Sequence, residues 1–131
     1  MNLLLDTHIA LWAVTGSSRL RPDVVQIIAN PKNSAFISVA SIWEIAIKFA
    51  RNKGLPDDMP VSGTQARDIF QNAGYQFLKI DADHAAAVDS LPLRHGDPFD
   101  RIIIAQARAE GLRLITRDAD VAAYDPAIML V

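Results

Sequence analysis

Hydrophobic positions along this chain alternate between short continuous runs and longer stretches with helical spacing. Residues 3–5, all leucine, read as the end of a buried strand, and Asp6-Thr7-His8 then opens an apolar helix through Ile9, Leu11, Trp12 and Val14. After a turn at Gly16-Ser17-Ser18, Pro22 takes the favoured first position of a second helix that Asn30-Pro31 stops. Residues 35–39 read as a strand. Residues 41–51 form the longest apolar helical segment; Ile42, Trp43, Ile45, Ala46, Ile47 and Phe49 cover most of its circumference, so it is expected to be largely buried. Gly54-Leu55-Pro56 ends it, 57–63 is a loop, and 64–73 is an amphipathic helix closed by Gly74. A strand at 77–80 leads to Asp81, which caps a helix reaching Leu91, and 92–96 is a loop. The last third predicts a helix over 98–110 stopped by Gly111, a strand at 113–116, a short helix at 119–124 and a strand at 128–130. Strands alternating with helices argue for an α/β domain with a mainly parallel sheet and helices on both faces. There is no internal repeat or linker, so residues 1–131 are expected to be one domain.

Composition narrows the function. Half of the residues are hydrophobic and 21% are charged, which suits a globular core and excludes a disordered chain. With no cysteine, disulfides, thiolate zinc sites and a Cys nucleophile are excluded, and a reducing compartment is favoured. Asp6 arrives before a signal-peptide core can form, and no apolar run approaches the ~18 residues needed to span a membrane, so the expected location is cytoplasmic. The formal charge is −2, whereas proteins that bind nucleic acid through phosphate contacts usually show a basic surplus. Contact with nucleic acid would therefore be local and carried partly by metal ions.

Among the fifteen acids only Glu44 and Glu110 are Glu. Asp6 and Asp118 sit directly after strands, where open α/β sheets bind ligands, although each position also suits a helix N-cap. Asp97, ahead of Pro98, reads as a cap. Asp100 differs, because Ile103, Ile104 and Ala107 follow at three, four and seven residues and place it on the core-facing stripe. Glu44 lies mid-helix, where capping cannot explain it. It is either a site acid or half of an exposed pair with Lys48, on a polar stripe with Ser41 and Arg51. Carboxylates gathered together repel and raise one another's pKa unless a cation holds them. A set of oxygen donors without paired His suits Mg²⁺ or Mn²⁺, which can activate water for in-line attack on a phosphodiester. His8, His84 and His95 lack the i, i+4 spacing of a helical metal pair and are not read as ligands. No Gly-rich phosphate loop is present.

Leu3-Leu4-Leu5-Asp6-Thr7-His8, Trp43-Glu44-Ile45-Ala46-Ile47-Lys48, Asp97-Pro98-Phe99-Asp100-Arg101 with Ala105-Gln106-Ala107, and Leu114-Ile115-Thr116-Arg117-Asp118 together resemble a PIN domain of the VapC toxin type, over nearly the whole chain. The resemblance implies a three-layer α/β/α domain in which Asp6, Glu44, Asp100 and Asp118 bind Mg²⁺ or Mn²⁺ and support endoribonuclease cleavage. It also implies that Thr116 orients the site from its strand end, that Asp97 and Asp120 are supporting acids, and that Arg101 contacts substrate phosphate. Whether Asp118 or Asp120 fills the fourth place stays open. The implied partners are RNA, a second copy in a homodimer, and a VapB-like antitoxin that lies across an apolar groove. Trp12, Trp43 and Phe49 are groove or dimer candidates, with core packing expected for Trp43 and Phe49. Two other readings stand beside this one. One is phosphotransfer on an Asp6 nucleophile, which lacks a second Asp two residues on. The other is an inactive PIN-like scaffold that binds RNA or protein, with its acids serving as caps; the four-acid set argues against it, and a Glu44 pointing away from the other acids would favour it.

Overall fold

Leu3, Leu4 and Leu5 have no solvent exposure, and their strand, β1 (Asn2–Leu5), is the centre of the sheet because only a strand covered on both faces can be apolar throughout. A computed structural model describes residues 1–131. The remaining strands are β2 (Ser34–Ser38), β3 (Gln76–Leu78), β4 (Arg113–Thr116) and β5 (Met129–Leu130), in the order β3-β2-β1-β4-β5 with every pair parallel. Seven helices connect them: α1 (Thr7–Thr15), α2 (Pro22–Ala29), α3 (Val39–Ala50), α4 (Gly63–Asn72), α5 (Ala82–Ala87), α6 (Pro98–Glu110) and α7 (Ala119–Ala122).

Alternation along β1 divides the core. Leu3 and Leu5 join Ile9, Val24, Ile37, Ile45, Phe70 and Ile115 on one face, beneath α1, α2 and α4. Leu4 joins Ala40, Leu91, Ile103, Ile104, Leu114 and Val121 on the other, beneath α6 and α7. The expected α/β/α layering is therefore present, and the sheet is wholly rather than mainly parallel. The register sets Leu5 opposite Ile37 and Ile115, which brings the residues just past β1, β2 and β4 to one carboxyl edge. No helix is long and apolar enough to cross a membrane.

Several expected boundaries move for identifiable reasons. The Ser38 hydroxyl accepts from the Ala40 N–H (3.0 Å), so α3 starts at Val39 and β2 ends one residue earlier than expected. The helix expected from 82 to Leu91 stops at Ala87 and tightens into a 3₁₀ turn, Val88–Ser90. The larger correction concerns α3. Ala40, Ser41, Glu44 and Ile45 form its buried face, while Trp43 is 62% and Phe49 40% exposed. Apolar residues around most of a circumference cannot all face one sheet. The expected core packing of both aromatics fails, and Trp43 instead meets the edge of Phe99 near the surface (centroids 5.2 Å, 82°).

Candidate active site

Asp6 continues the β1 ladder through its N–H to the Ile115 carbonyl (3.0 Å) and then caps α1, with Oδ1 accepting from the Thr7 N–H at 2.7 Å. Its Oδ2 accepts from Thr116 Oγ1 at 2.6 Å, and Thr116 Oγ1 accepts from the Asp118 N–H at 3.0 Å. One fully buried hydroxyl at the end of β4 thus fixes both strand-end acids. Thr116→Val keeps the shape and removes both bonds. The expected result is a loss of about 1–2 kcal/mol in stability and a carboxyl-carbon NMR titration of Asp6 shifted further up in pH, since the Thr116 bond favours the ionised form. An Asp6 titration unchanged in the variant contradicts this role.

Glu44 is 5% exposed, in the middle of α3. Thr7 Oγ1 lies 2.8 Å from both Glu44 Oε1 and Ser41 Oγ; having one proton, it donates to the carboxylate and accepts from the serine. Glu44 Oε2 meets Lys48 Nζ at 2.7 Å, so the helical pair exists, but its acid is buried rather than displayed to solvent. From the first turn of α6, Asp100 Oδ2 lies 2.6 Å from His95 Nε2. Asp97 caps that helix through Phe99 N (2.8 Å) and Asp100 N (3.3 Å).

Asp6, Glu44, Asp97, Asp100 and Asp118 line a single open cleft of about 420 Å³, with Thr7, His8, Trp12, Lys48, His95 and Arg117. Asp120 is exposed and outside this lining; the start of α7 turns it away while Asp118 faces in. Burial pushes the Asp6 carboxyl up, and the nearby Glu44 adds to it, against hydrogen bonds from Thr116 and Thr7. Asp100 is pushed up to about 6, first by burial and then by repulsion from Asp6 and Asp97, against its bond to His95. The His95 imidazole is raised in turn by that bond. The cleft therefore concentrates negative charge that its own side chains do not fully compensate.

Two readings of the sequence change here. Arg101 does not face the cleft: it is buried, and its guanidinium bonds to the carbonyls of Val88, Leu91, Pro92 and His95 and to the Tyr124 hydroxyl. Its donors are committed to a loop, so phosphate contact is not its role. His95, set aside on spacing, stands at the cleft. Ligand atoms of His95, Asp97 and Asp100 lie within 4.8 Å of one another. No helical spacing reveals this, because His95 arrives on a loop. Buried His84 is structural, with Nδ1 accepting from the Asp81 N–H and Nε2 meeting Glu110 Oε1 at 2.8 Å.

An all-parallel α/β sheet with five acids lining one cleft past its carboxyl edge defines an acid-cleft domain of the open α/β class. The sequence profile of the PIN domain matches residues 3–126, and the chain belongs to that family. No curated protein matches it. Solved structures share its fold along nearly the whole chain. VapBC2 from Rickettsia felis, bound to a promoter DNA fragment, has a TM-score of 0.69 at 16% identity, covering 100% of this chain and 98% of that one. VapBC-5 from Mycobacterium tuberculosis, a member of the VapBC family of toxin-antitoxin systems, gives 0.65 at 22%, with 99% and 98% covered. FitAcB from Neisseria gonorrhoeae gives 0.63 at 17%, with 100% and 97% covered.

Proposed function

We propose that this chain is a VapC-type toxin, a Mg²⁺- or Mn²⁺-dependent endoribonuclease held in check by a VapB-like antitoxin. The observation that carries this reading is the convergence of Asp6, Glu44, Asp100 and Asp118 on one open cleft, with burial and mutual repulsion raising the Asp6 and Asp100 carboxyls. An oxygen-rich donor set under such repulsion fits a hard divalent cation, and these four residues would hold it. When bound, the ion supplies charge neutralisation and activation of water for in-line hydrolysis of a phosphodiester.

The protein's own contribution is placement. Thr116 and the Thr7 N–H hold the two Asp6 oxygens, Thr7 and Lys48 hold those of Glu44, and His95 holds Asp100. Because these partners come from β4, α1, α3 and the loop before α6, the acids are set by the fold before substrate arrives. Glu44 turned away from the other acids would favour an inactive scaffold; that it lines the same cleft supports the enzyme reading. The structural neighbours are toxin paired with antitoxin, which supports a partner of that kind here. Exposed Trp43 and Phe49 are suited to covering by that partner or by a second copy in a homodimer. A cytoplasmic location completes the reading.

The test uses the purified full chain, separated from any partner. It should cleave single-stranded RNA with Mg²⁺ or Mn²⁺, stop in EDTA, and lose cleavage with Glu44→Gln. Cleavage undiminished in EDTA overturns the metal dependence. A folded, partner-free protein that cuts no RNA with either ion overturns the nuclease reading.

A further inference from the structure

The cleft also holds a group with no part in binding a cation. Trp12, on α1, lines it beside His8, whose ring is tilted 34° to the indole at 5.9 Å. Two arginines approach the same indole: the Arg117 guanidinium carbon lies 5.5 Å from the ring centre and that of Arg19 5.9 Å. Arg117 Nη1 also donates to the Arg19 backbone carbonyl at 3.0 Å, tying the end of β4 to the turn that follows α1. Both arginines are exposed. Neither forms an ion pair with a carboxylate, as Arg21, Arg67 and Arg108 do; Arg51, Arg94, Arg101 and Arg113 are likewise without one, but only Arg19 and Arg117 stand over the Trp12 ring.

In an acidic chain, two unneutralised guanidinium groups beside a cleft lined by five acids need an explanation. Mutual repulsion should separate them, and the π face of Trp12 opposes this by attracting both. Apart from the Arg117 Nη1 bond to the Arg19 carbonyl, the arrangement leaves their forked donors without partners, and those donors match phosphate oxygens. A basic patch interleaved with aromatic rings is the pattern that tracks a single-stranded backbone. Arg117 adjoins Asp118 in sequence and lines the same cleft, so a phosphate at the arginines and another over the acids would belong to neighbouring nucleotides of one strand.

We propose that Trp12, Arg19 and Arg117 form a backbone clamp for single-stranded RNA, holding a phosphate beside the one to be cleaved. The clamp rests on the nuclease reading and deepens it: it places the local basic contact that the overall charge of −2 does not supply. It also gives Trp12 a task besides partner docking.

The experiment measures binding of a short fluorescein-labelled single-stranded RNA by anisotropy, using full-length Asp6→Asn protein so that the probe stays intact, between about 50 and 200 mM salt. Adding Arg19→Ala and Arg117→Ala should weaken binding about tenfold or more at the lower salt. It should also reduce the slope of log K against log salt by about 0.7, the single-strand value for the one phosphate that the clamp holds. Arg67→Ala, removing an arginine on α4 that is already paired with Asp68, is the control and should leave both quantities unchanged. Thermal melting checks that each variant is folded. Unchanged affinity and slope in a folded double variant overturn the clamp and leave the nuclease reading standing. A parent that binds no RNA also overturns the clamp, and cleavage by the wild type then decides the nuclease reading separately. If the double variant keeps its RNA affinity and loses only binding to polyglutamate, the patch is a protein-docking site and the clamp is wrong.

Discussion

Asp100→Asn is expected to lose at least about a hundredfold in RNA cleavage while melting at a higher temperature than the wild type in EDTA at pH 8. The loss follows from removing one charged ligand of an ion asked to supply several kcal/mol of transition-state stabilisation, where each ~1.4 kcal/mol is tenfold in rate. The gain follows from the same charge. The Asp100 side chain is 16% exposed and faces Asp6 and Asp97, and its carboxyl is pushed up to about 6 from 3.8. A rise of about two pKa units is worth about 3 kcal/mol of destabilisation of the ionised folded form, net of the attraction to His95, and an amide that fits the His95 bond less well than the protonated carboxyl recovers only part of it. A net stabilisation of about 1–2 kcal/mol is expected.

The pH dependence has a definite sign. The folded pKa lies above the unfolded one, so folding binds a proton more tightly and ionisation opposes folding. That penalty is complete above about 6, shrinks as the pH falls and is gone below 3.8. The variant's advantage should therefore be present at pH 8 and absent near pH 4 in denaturant or thermal melts. Saturating Mg²⁺ should raise the melting temperature of the wild type and leave the variant nearly unmoved, because only the native wild-type cleft gains binding energy. A variant that melts at or below the wild type at pH 8 in EDTA would show that the charge is not under strain.

Glu44 shows how far a single sequence reaches into this site. Mid-helix placement removed the capping explanation but left a choice between a site acid and an exposed pair with Lys48, and the fold makes the choice subtler. The pair forms at 2.7 Å, yet its acid is buried against Thr7. Helical periodicity could not supply this, because apolar residues cover α3 on nearly all sides and only the docked sheet selects the face with Glu44. The same gap misassigned Trp43 and Phe49. Asp6 and Asp118 were legible because strand ends in a parallel sheet share one edge, and Asp100 because its stripe was clean. Whether Asp118 or Asp120 faced the cleft depended on the path of one turn at α7, which periodicity over four residues does not encode. His95 and Arg101 were out of reach for another reason: their contacts are made by a loop, whose path follows from hydrogen bonds to distant groups such as the Tyr124 hydroxyl.

Arg101→Met should lower stability by about 3 kcal/mol, about 10 °C in melting temperature for a chain of this size. Arg101 is 8% exposed and its guanidinium has no carboxylate partner; carbonyl dipoles solvate it instead. Its shortest bonds run to Pro92 O (2.9 Å), Val88 O (3.0 Å) and the Tyr124 hydroxyl (3.1 Å), with longer ones to Leu91 O and His95 O (3.4 Å each). Hydrogen bonds from a charged donor contribute about 1.5–3 kcal/mol each, and the three short ones exceed what is recovered by no longer burying the charge. A lysine at this position would retain charge without the planar fork, so Arg101→Lys should recover only part of the loss. The loop so held carries His95 and Asp97 to the cleft, and hydrogen exchange of the 88–96 amides should accelerate in the Met variant while β1 stays protected. A fall of less than about 3 °C, the equivalent of roughly 1 kcal/mol, would mean that the loop carbonyls are satisfied by water and that the chain before α6 holds its own shape. In that case the placement of His95 against Asp100 would have to come from their own 2.6 Å bond.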